Sequence, residues 1–252
     1  MAKVIFHESF YQSYTWDPAA AVGRMEAIVD TIGPHVEFVP AEPAPRHYIA
    51  AVHTEMHIQQ VENRGVYDIA ALAAGGAIQA AQIGLTEPCF GLIRPPGHHA
   101  STSSAWGFCF FNNMAVTLET LRRQQKIRSA AVLDIDLHFG DGTVNILGNR
   151  TWATITNLET SSRNVYLKEV EGAMKHCWAD LIGISAGFDN HIRDWGGLLC
   201  TEDYEQIGHR VRSAADRSGG GCFAILEGGY NHAVLGENVL ALIQGMAKKR
   251  SC

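Results

Sequence analysis

Asp134, Asp136 and His138 alternate in the stretch "DIDLH", and two adjacent histidines, His98 and His99, stand in "IRPPGHHA". Carboxylates and imidazoles so spaced can hold a divalent metal or move protons. Side chains of an extended chain alternate with period two, so the pattern predicts that Asp136 and His138, nearest the end of an apolar run, converge on one ion. Asp134 lies one step deeper, where it would orient a neighbour. Asp189, in "SAGFDNH", is the candidate third ligand. Two carboxylates and one imidazole leave coordination positions open, as a catalytic zinc requires, and the mixed N/O set also suits iron or another divalent ion. His98 and His99 then have work beside the metal: its water needs a base near neutral pH, the leaving group needs an acid, and imidazole serves as both. Each ring needs a partner on its far nitrogen, and Asp134 and Asp141 are the available carboxylates. Tyr230, on the Gly228–Gly229 turn of "EGGYN", could donate a hydrogen bond to a developing oxyanion.

Each residue alone has a plainer interpretation. An aspartate can cap a helix or satisfy a turn, and a tyrosine after two glycines can simply pack. Capping does not require four strand ends that all carry such residues, and four are found here: "RPPGHH", "DIDLHFGDG", "AGFDNH" and "EGGYN" each follow an apolar run.

The elements that must position these groups are legible as alternating patterns. Short apolar runs predict strands at 3–6, 36–39, 89–93, 130–136, 152–156, 180–186 and 222–228. Helices are predicted from near Pro18 to about Ile32 and over 67–85, 112–125, 166–178, 201–216 and 233–249. The last ends in Lys248, Lys249 and Arg250, a favourable charge for a helix C-terminus. Strand–helix alternation with buried strands predicts a parallel sheet covered on both faces, with residues 1–252 as a single α/β domain. In such sheets ligands sit off the carboxyl ends of the strands.

Composition narrows the function classes. The chain has 252 residues, 46% of them hydrophobic, and a formal net charge of −6. That is long enough for a sizeable core and lacks the basic balance of a nucleic-acid binder. The six cysteines form no CxxC pair and several lie in apolar runs, which predicts a reducing, cytoplasmic setting. No run reaches membrane-spanning length, and the first residues lack a long apolar signal core.

Together "RPPGHHA", "GFCFFNN", "DIDLHFGDGT", "SAGFDNH" and "LEGGYN" come in the order seen in zinc-dependent histone deacetylases. The chain resembles that family and its bacterial relatives, the acetylpolyamine amidohydrolases and acetoin-utilisation-type proteins, from about residue 48 onward. "AAVHTEMHI" is similar to the family's "VHxxxYI" segment, with His57 in the tyrosine's place. The resemblance implies a three-layer arginase–deacetylase fold with a mostly parallel sheet of about eight strands. It implies Asp136, His138 and Asp189 as ligands of Zn2+, with Fe2+ as the alternative, and a structural K+ against Asp134 and the backbone of Asp136 and His138. It places Asp134 behind His98 and Asp141 behind His99, and gives His99 the base and acid role. Tyr230 becomes the carbonyl-polarising group. Phe108, with Gly107 beside it, becomes one wall of the acyl-lysine channel, and Gly228 and Gly229 border the substrate. The implied reaction is hydrolysis of an acyl-lysine or acyl-polyamine amide by metal-activated water.

The chain also departs from the family. The segment between His138 and Asp189 lacks the glycine- and phenylalanine-containing loop that forms the second channel wall, which predicts a more open site. "WDPAAAVGRMEAIV" stands where the family has "GHPERPERL", with Arg24 for its last arginine. Two alternative functions are an acyl-ligand sensor without turnover and an arginase-like di-metal ureohydrolase. "HTEMH" (53–57) puts two histidines at i, i+4 on a predicted helix. Thr54 stands where the zinc-protease pattern needs glutamate, so a structural role is expected. The acyl group and the oligomeric state stay open.

Overall fold

The computed structural model describes residues 1–248. The chain runs β1 (Ala2–Phe6), α1 (Arg24–Ile32), β2 (Val36–Pro40), α2 (Arg46–Ile49), α3 (Glu55–Asn63), α4 (Tyr67–Gly84), β3 (Cys89–Gly91), α5 (Asn113–Arg123), β4 (Ala130–Asp134), α6 (Asp141–Leu147), β5 (Ala153–Asn157), α7 (Arg163–His176), β6 (Leu181–Ala186), α8 (Thr201–Ser218), β7 (Gly221–Leu226) and α9 (His232–Ala247). β3, β4, β6 and β7 are buried along their whole length, as their unbroken apolar runs require. β2 and β5 are less buried and lie at the edges. All pairings are parallel, in the order β2-β1-β3-β7-β6-β4-β5.

Helices cover both faces. α4, almost entirely alanine, glycine and aliphatic residues, packs on β1, β3 and β7 and against α5. α9 packs between α1 and α8, and α8 also lies on β6 and β7. The close approach of α8 and α9 depends on small residues: a Cβ at Gly208 would come within 2.5 Å of the Leu242 carbonyl oxygen. None of the helices among the described residues is long and apolar enough to cross a membrane.

Several boundaries differ from expectation. The sheet itself has seven strands among the described residues, the same seven that the apolar runs predict and close to the eight or so that the resemblance implies. The helix expected from Pro18 is a 3-10 turn, Pro18–Ala20, followed by α1. The break falls at Gly23, whose φ of +86° favours glycine. β4 ends at Asp134, two residues early. α9 ends at Ala247, and Lys249 and Arg250 lie outside the described residues. His53 precedes α3, with Thr54 as its N-cap, so "HTEMH" is not one helical face. Its two rings brace the loop before α5: His53 Nδ1 lies 2.9 Å from the Ser101 carbonyl, Asn112 N–H donates to His53 Nε2, and His57 Nε2 lies 2.7 Å from the Phe110 carbonyl.

Candidate active site

Four adjacent strands, β3, β7, β6 and β4, end on the same side of the sheet, and the loops after them meet. Only this strand order brings His98, Tyr230, Asp189 and Asp136 together across as many as 132 positions of chain.

The metal candidates converge, but not through strand alternation. Beyond Asp134 the chain bends. Asp136 N–H donates to Asp134 Oδ1 at 3.1 Å, and His138 N–H donates to Asp136 Oδ1 at 3.0 Å. These two aspartate-anchored turns replace the extended geometry expected for "DIDLH". They bring one ligand atom each from Asp136, His138 and Asp189 within 4.8 Å of one another. His138 Nδ1 lies 3.2 Å from Asp136 Oδ1 and 3.2 Å from Asp189 Oδ2. The remaining oxygens are held by backbone: Asp136 Oδ2 accepts from Gly228 N–H at 2.8 Å, and Asp189 Oδ1 from Leu137 N–H at 3.0 Å. A side chain at Gly228 would press on both carboxylates.

This cluster suits a divalent cation. Asp189 Oδ2 is buried and faces only a poorly aligned His138 Nδ1 at 3.2 Å, an under-satisfied condition that a cation relieves. The Asp136 and Asp189 carboxylates raise the His138 imidazole to about 10, so the site draws positive charge. Burial, then the nearby Asp136 charge, push Asp189 up. Burial also works against Asp136, but His98 and His138 outweigh it and hold that carboxyl down. Two carboxylates and an imidazole form a donor set that zinc or iron accepts.

The histidine pair lies beside the cluster. Both rings are buried, with centroids 4.0 Å apart. His98 Nδ1 lies 3.1 Å from Asp134 Oδ2, and His99 Nδ1 lies 2.7 Å from Asp141 Oδ1. Their environments push them in opposite directions. Burial and then the charge of His98 lower His99 to about 4. Burial also opposes a charge on His98, but Asp136 and Asp134 override it and raise that ring well above the ordinary range. Without a metal, His99 is thus pushed toward its neutral form and His98 toward its charged one. Asp141 does open α6, but both its oxygens face the site: the second accepts from the Trp106 indole at 2.9 Å. Capping therefore does not account for it.

Tyr230 faces the same cavity, which has a volume of about 120 Å³ and is lined by both histidines, His138, Gly107, Phe108, Trp106, Trp195 and Gly228. Burial, then Asp136, push the Tyr230 phenol far up, which keeps it a protonated donor. Its backbone is clamped. Asp194 Oδ2 accepts from Tyr230 N–H at 2.8 Å and Asn231 N–H at 2.7 Å. The buried Arg24 donates to the carbonyls of Gly229 at 2.8 Å and Glu227 at 2.7 Å, and its guanidinium lies 5.6 Å from the Tyr230 ring centroid. Gly229 itself takes φ +111°. Phe108 has φ +69°, a conformation that costs a bulky residue about 1–3 kcal/mol. That strain aims its ring across the cavity, edge-on to Tyr230 at 6.0 Å.

The residues assigned to metal, proton transfer and substrate in the sequence lie at or just behind this cavity, whereas His53 and His57 do not line it. Four others there were not singled out. Trp106 and Trp195 flank the motifs "GFCFFNN" and "SAGFDNH". Asp194 precedes Trp195. Glu227, within "LEGGYN", is fully buried and accepts from the backbone N–H groups of Gly97 and His98 at 2.6 and 3.3 Å. Their adjacency to motifs was the only signal available.

A three-layer α/β fold with imidazoles, carboxylates and a tyrosine gathered beyond four strand ends defines a class of scaffold. The comparisons with known proteins narrow that class. The model of the histone deacetylase domain matches residues 62–166 and 150–246. A probable deacetylase of Methanothermobacter thermautotrophicus is 30% identical, over 79% of this chain and 75% of that protein. One of Archaeoglobus fulgidus is 31% identical, over 79% and 71%. The histone deacetylase-like amidohydrolase of Pseudomonas aeruginosa is 28% identical, over 74% and 60%. The crystal structure of the HDA15 HD domain superposes with a TM-score of 0.82 over 96% of this chain and 88% of that one, at 23% identity, and so shares the fold. The chain belongs to the histone deacetylase family, a family of hydrolases.

Proposed function

We propose that this protein is a metal-dependent amidohydrolase that removes an acetyl or other acyl group from an amine such as acyl-lysine or acyl-polyamine. The observation that carries this is the meeting, around one small cavity, of a three-residue metal cluster, two carboxylate-backed imidazoles and a clamped tyrosine. Asp136, His138 and Asp189 would hold one ion, zinc by preference and iron as the alternative. When bound, such an ion acts as a Lewis acid on a carbonyl and acidifies water.

The chain's own residues supply the rest. The Nδ1 position of His99 is taken by Asp141, which leaves Nε2 for the cavity. Kept neutral, His99 accepts a proton from water and returns it to the departing amine nitrogen. Asp134 holds His98 beside it through a 3.1 Å contact at Nδ1. The Tyr230 hydroxyl donates to the developing oxyanion. Phe108 and Trp195 flank the arm that carries the acyl group. The named relatives, probable deacetylases and a histone deacetylase-like amidohydrolase, support the same chemistry. Free thiols at Cys89, Cys109, Cys177, Cys200 and Cys222 support a reducing, cytoplasmic setting.

The test is a panel of acyl-lysine and acyl-polyamine substrates on purified, zinc-loaded protein and on its His99→Ala variant. Release of free amine by the wild type, lost in the variant, is the expected result. No hydrolysis across the panel, or equal turnover in the variant, overturns the proposal.

A further inference from the structure

Trp106 sits where two functions of one side chain coincide. Its indole lies on the His99 imidazole, with ring centroids 3.7 Å apart and 30° between planes. Its Nε1–H donates to Asp141 Oδ2 at 2.9 Å, while Asp141 Oδ1 meets His99 Nδ1. The three groups form a closed triangle: ring on ring, indole to carboxylate, carboxylate to imidazole. The exposures explain its need. The Asp141 side chain is 45% exposed and that of His99 is 3%. An aspartate so open to water would otherwise rotate and share its oxygens with solvent. Burial works against the charge on Asp141, but the bonds from Trp106 and His99 outweigh it and hold its carboxyl below the ordinary range. The neighbouring Gly107 makes the wrap sterically feasible. It takes φ +57°, and a Cβ there would collide with His99 Cδ2.

We propose that Trp106 is a positioning residue for the His99–Asp141 pair: its N–H fixes the outer oxygen of Asp141 while its ring covers His99, so that the imidazole stays set with Nδ1 on the carboxylate and Nε2 on the cavity. This rests on the function proposed above, in which His99 moves protons. Trp106 acts on the reaction through Asp141 and His99 and transfers no proton itself.

Two variants separate its parts. Trp106→Phe keeps a ring on His99 and removes the donor; Trp106→Ala removes both. Trp106→Phe should lower kcat by about tenfold, as loss of an outer partner of an active-site imidazole commonly does, with KM within about twofold and metal content unchanged. In an Asp141→Ala background the same change should cost less than about twofold, because partners that act in series are not additive. A second readout needs no turnover. The His99 Nδ1 proton, assigned in a proton NMR spectrum by its loss in His99→Ala, should exchange faster with water in Trp106→Phe and faster still in Trp106→Ala. Wild-type kcat with unchanged exchange in Trp106→Phe overturns the proposal, as does an undiminished loss in the Asp141→Ala background. If the wild type hydrolyses no amide, the proposed function fails, and the exchange rates alone decide the role of Trp106.

Discussion

Trp195 lies flat on Tyr230, with ring centroids 4.1 Å apart and 26° between the planes. The same indole meets His138 edge-on at 6.2 Å. No residue between His138 and Asp189 lines the cavity, yet an aromatic residue besides Phe108 and Trp106 borders it beside Tyr230. That residue arrives from the loop after Asp189, held by Asp194, whose other oxygen clamps the Tyr230 backbone. One carboxylate thus couples the position of the wall to that of the tyrosine.

Removing that wall should weaken substrate binding. Each buried methylene of the lysine arm contributes about 0.8 kcal/mol, so uncovering one or two of them in Trp195→Ala should raise KM for a slender acetyl-lysine amide by roughly 4- to 15-fold. Trp195→Phe should recover most of the loss. Steady-state kinetics on slender and bulky acyl groups will check this; an unchanged KM in Trp195→Ala would mean that the substrate does not run along Trp195.

The chemical step should separate from metal binding. His99→Ala should abolish turnover while one metal per chain remains. Tyr230→Phe should lower kcat by about 10²- to 10³-fold, the usual cost of one lost oxyanion donor. Elemental analysis run beside the kinetics distinguishes the two, and near-wild-type kcat in either variant contradicts the assigned roles.

Metal retention should depend on Asp189 and on pH. Asp189→Ala removes a fully buried carboxylate from the three-residue cluster and should lose most of the metal on dialysis. Both His138, raised to about 10, and Asp189, also raised, favour their protonated forms in the metal-free site. Protons and ion therefore compete, and apparent affinity should fall as pH falls. Titration calorimetry at several pH values should show protons released on binding; pH-independent affinity between about 6 and 9 would place the metal elsewhere.

Acid should destabilise the fold through His53, which does not line the cavity. Its Nε2 accepts from Asn112 N–H and its ring is buried. Burial, then its neighbour His57, lowers it to about 4. The folded value lies below the unfolded one, so the unfolded chain takes up the proton first. This contribution to stability is intact above about pH 6.5 and is lost as pH falls toward about 4, at most about 3 kcal/mol. His53→Gln should flatten that part of the curve of melting temperature against pH. An unchanged slope would show that other groups, such as His57 and His99, carry the acid sensitivity.

Much of this is legible in the amino-acid sequence alone. Apolar runs bounded by glycine, proline and polar residues marked all seven strands, because a strand buried on both faces must be apolar throughout. The strand-end rule located the candidate site, and "RPPGHHA", "DIDLHFGDGT" and "SAGFDNH" marked the family, because these are local stretches of distinctive residue types. Local pattern could not set the strand order. β6 and β7, made late, insert between β3 and β4, made early, and only packing across the whole chain decides that. The bend after Asp134 was likewise hidden. Period two held only until the aspartates began to bond their own backbone, a competition that side-chain alternation does not register. Trp106, Trp195, Asp194 and Glu227 gained their places through partners 35 to 130 residues away. A lone tryptophan or acid in a sequence carries no sign of such a partner. Residue types determined which chemistry the chain could do; tertiary structure decided which residues hold it in place, because those bonds join segments that meet only once the sheet has formed.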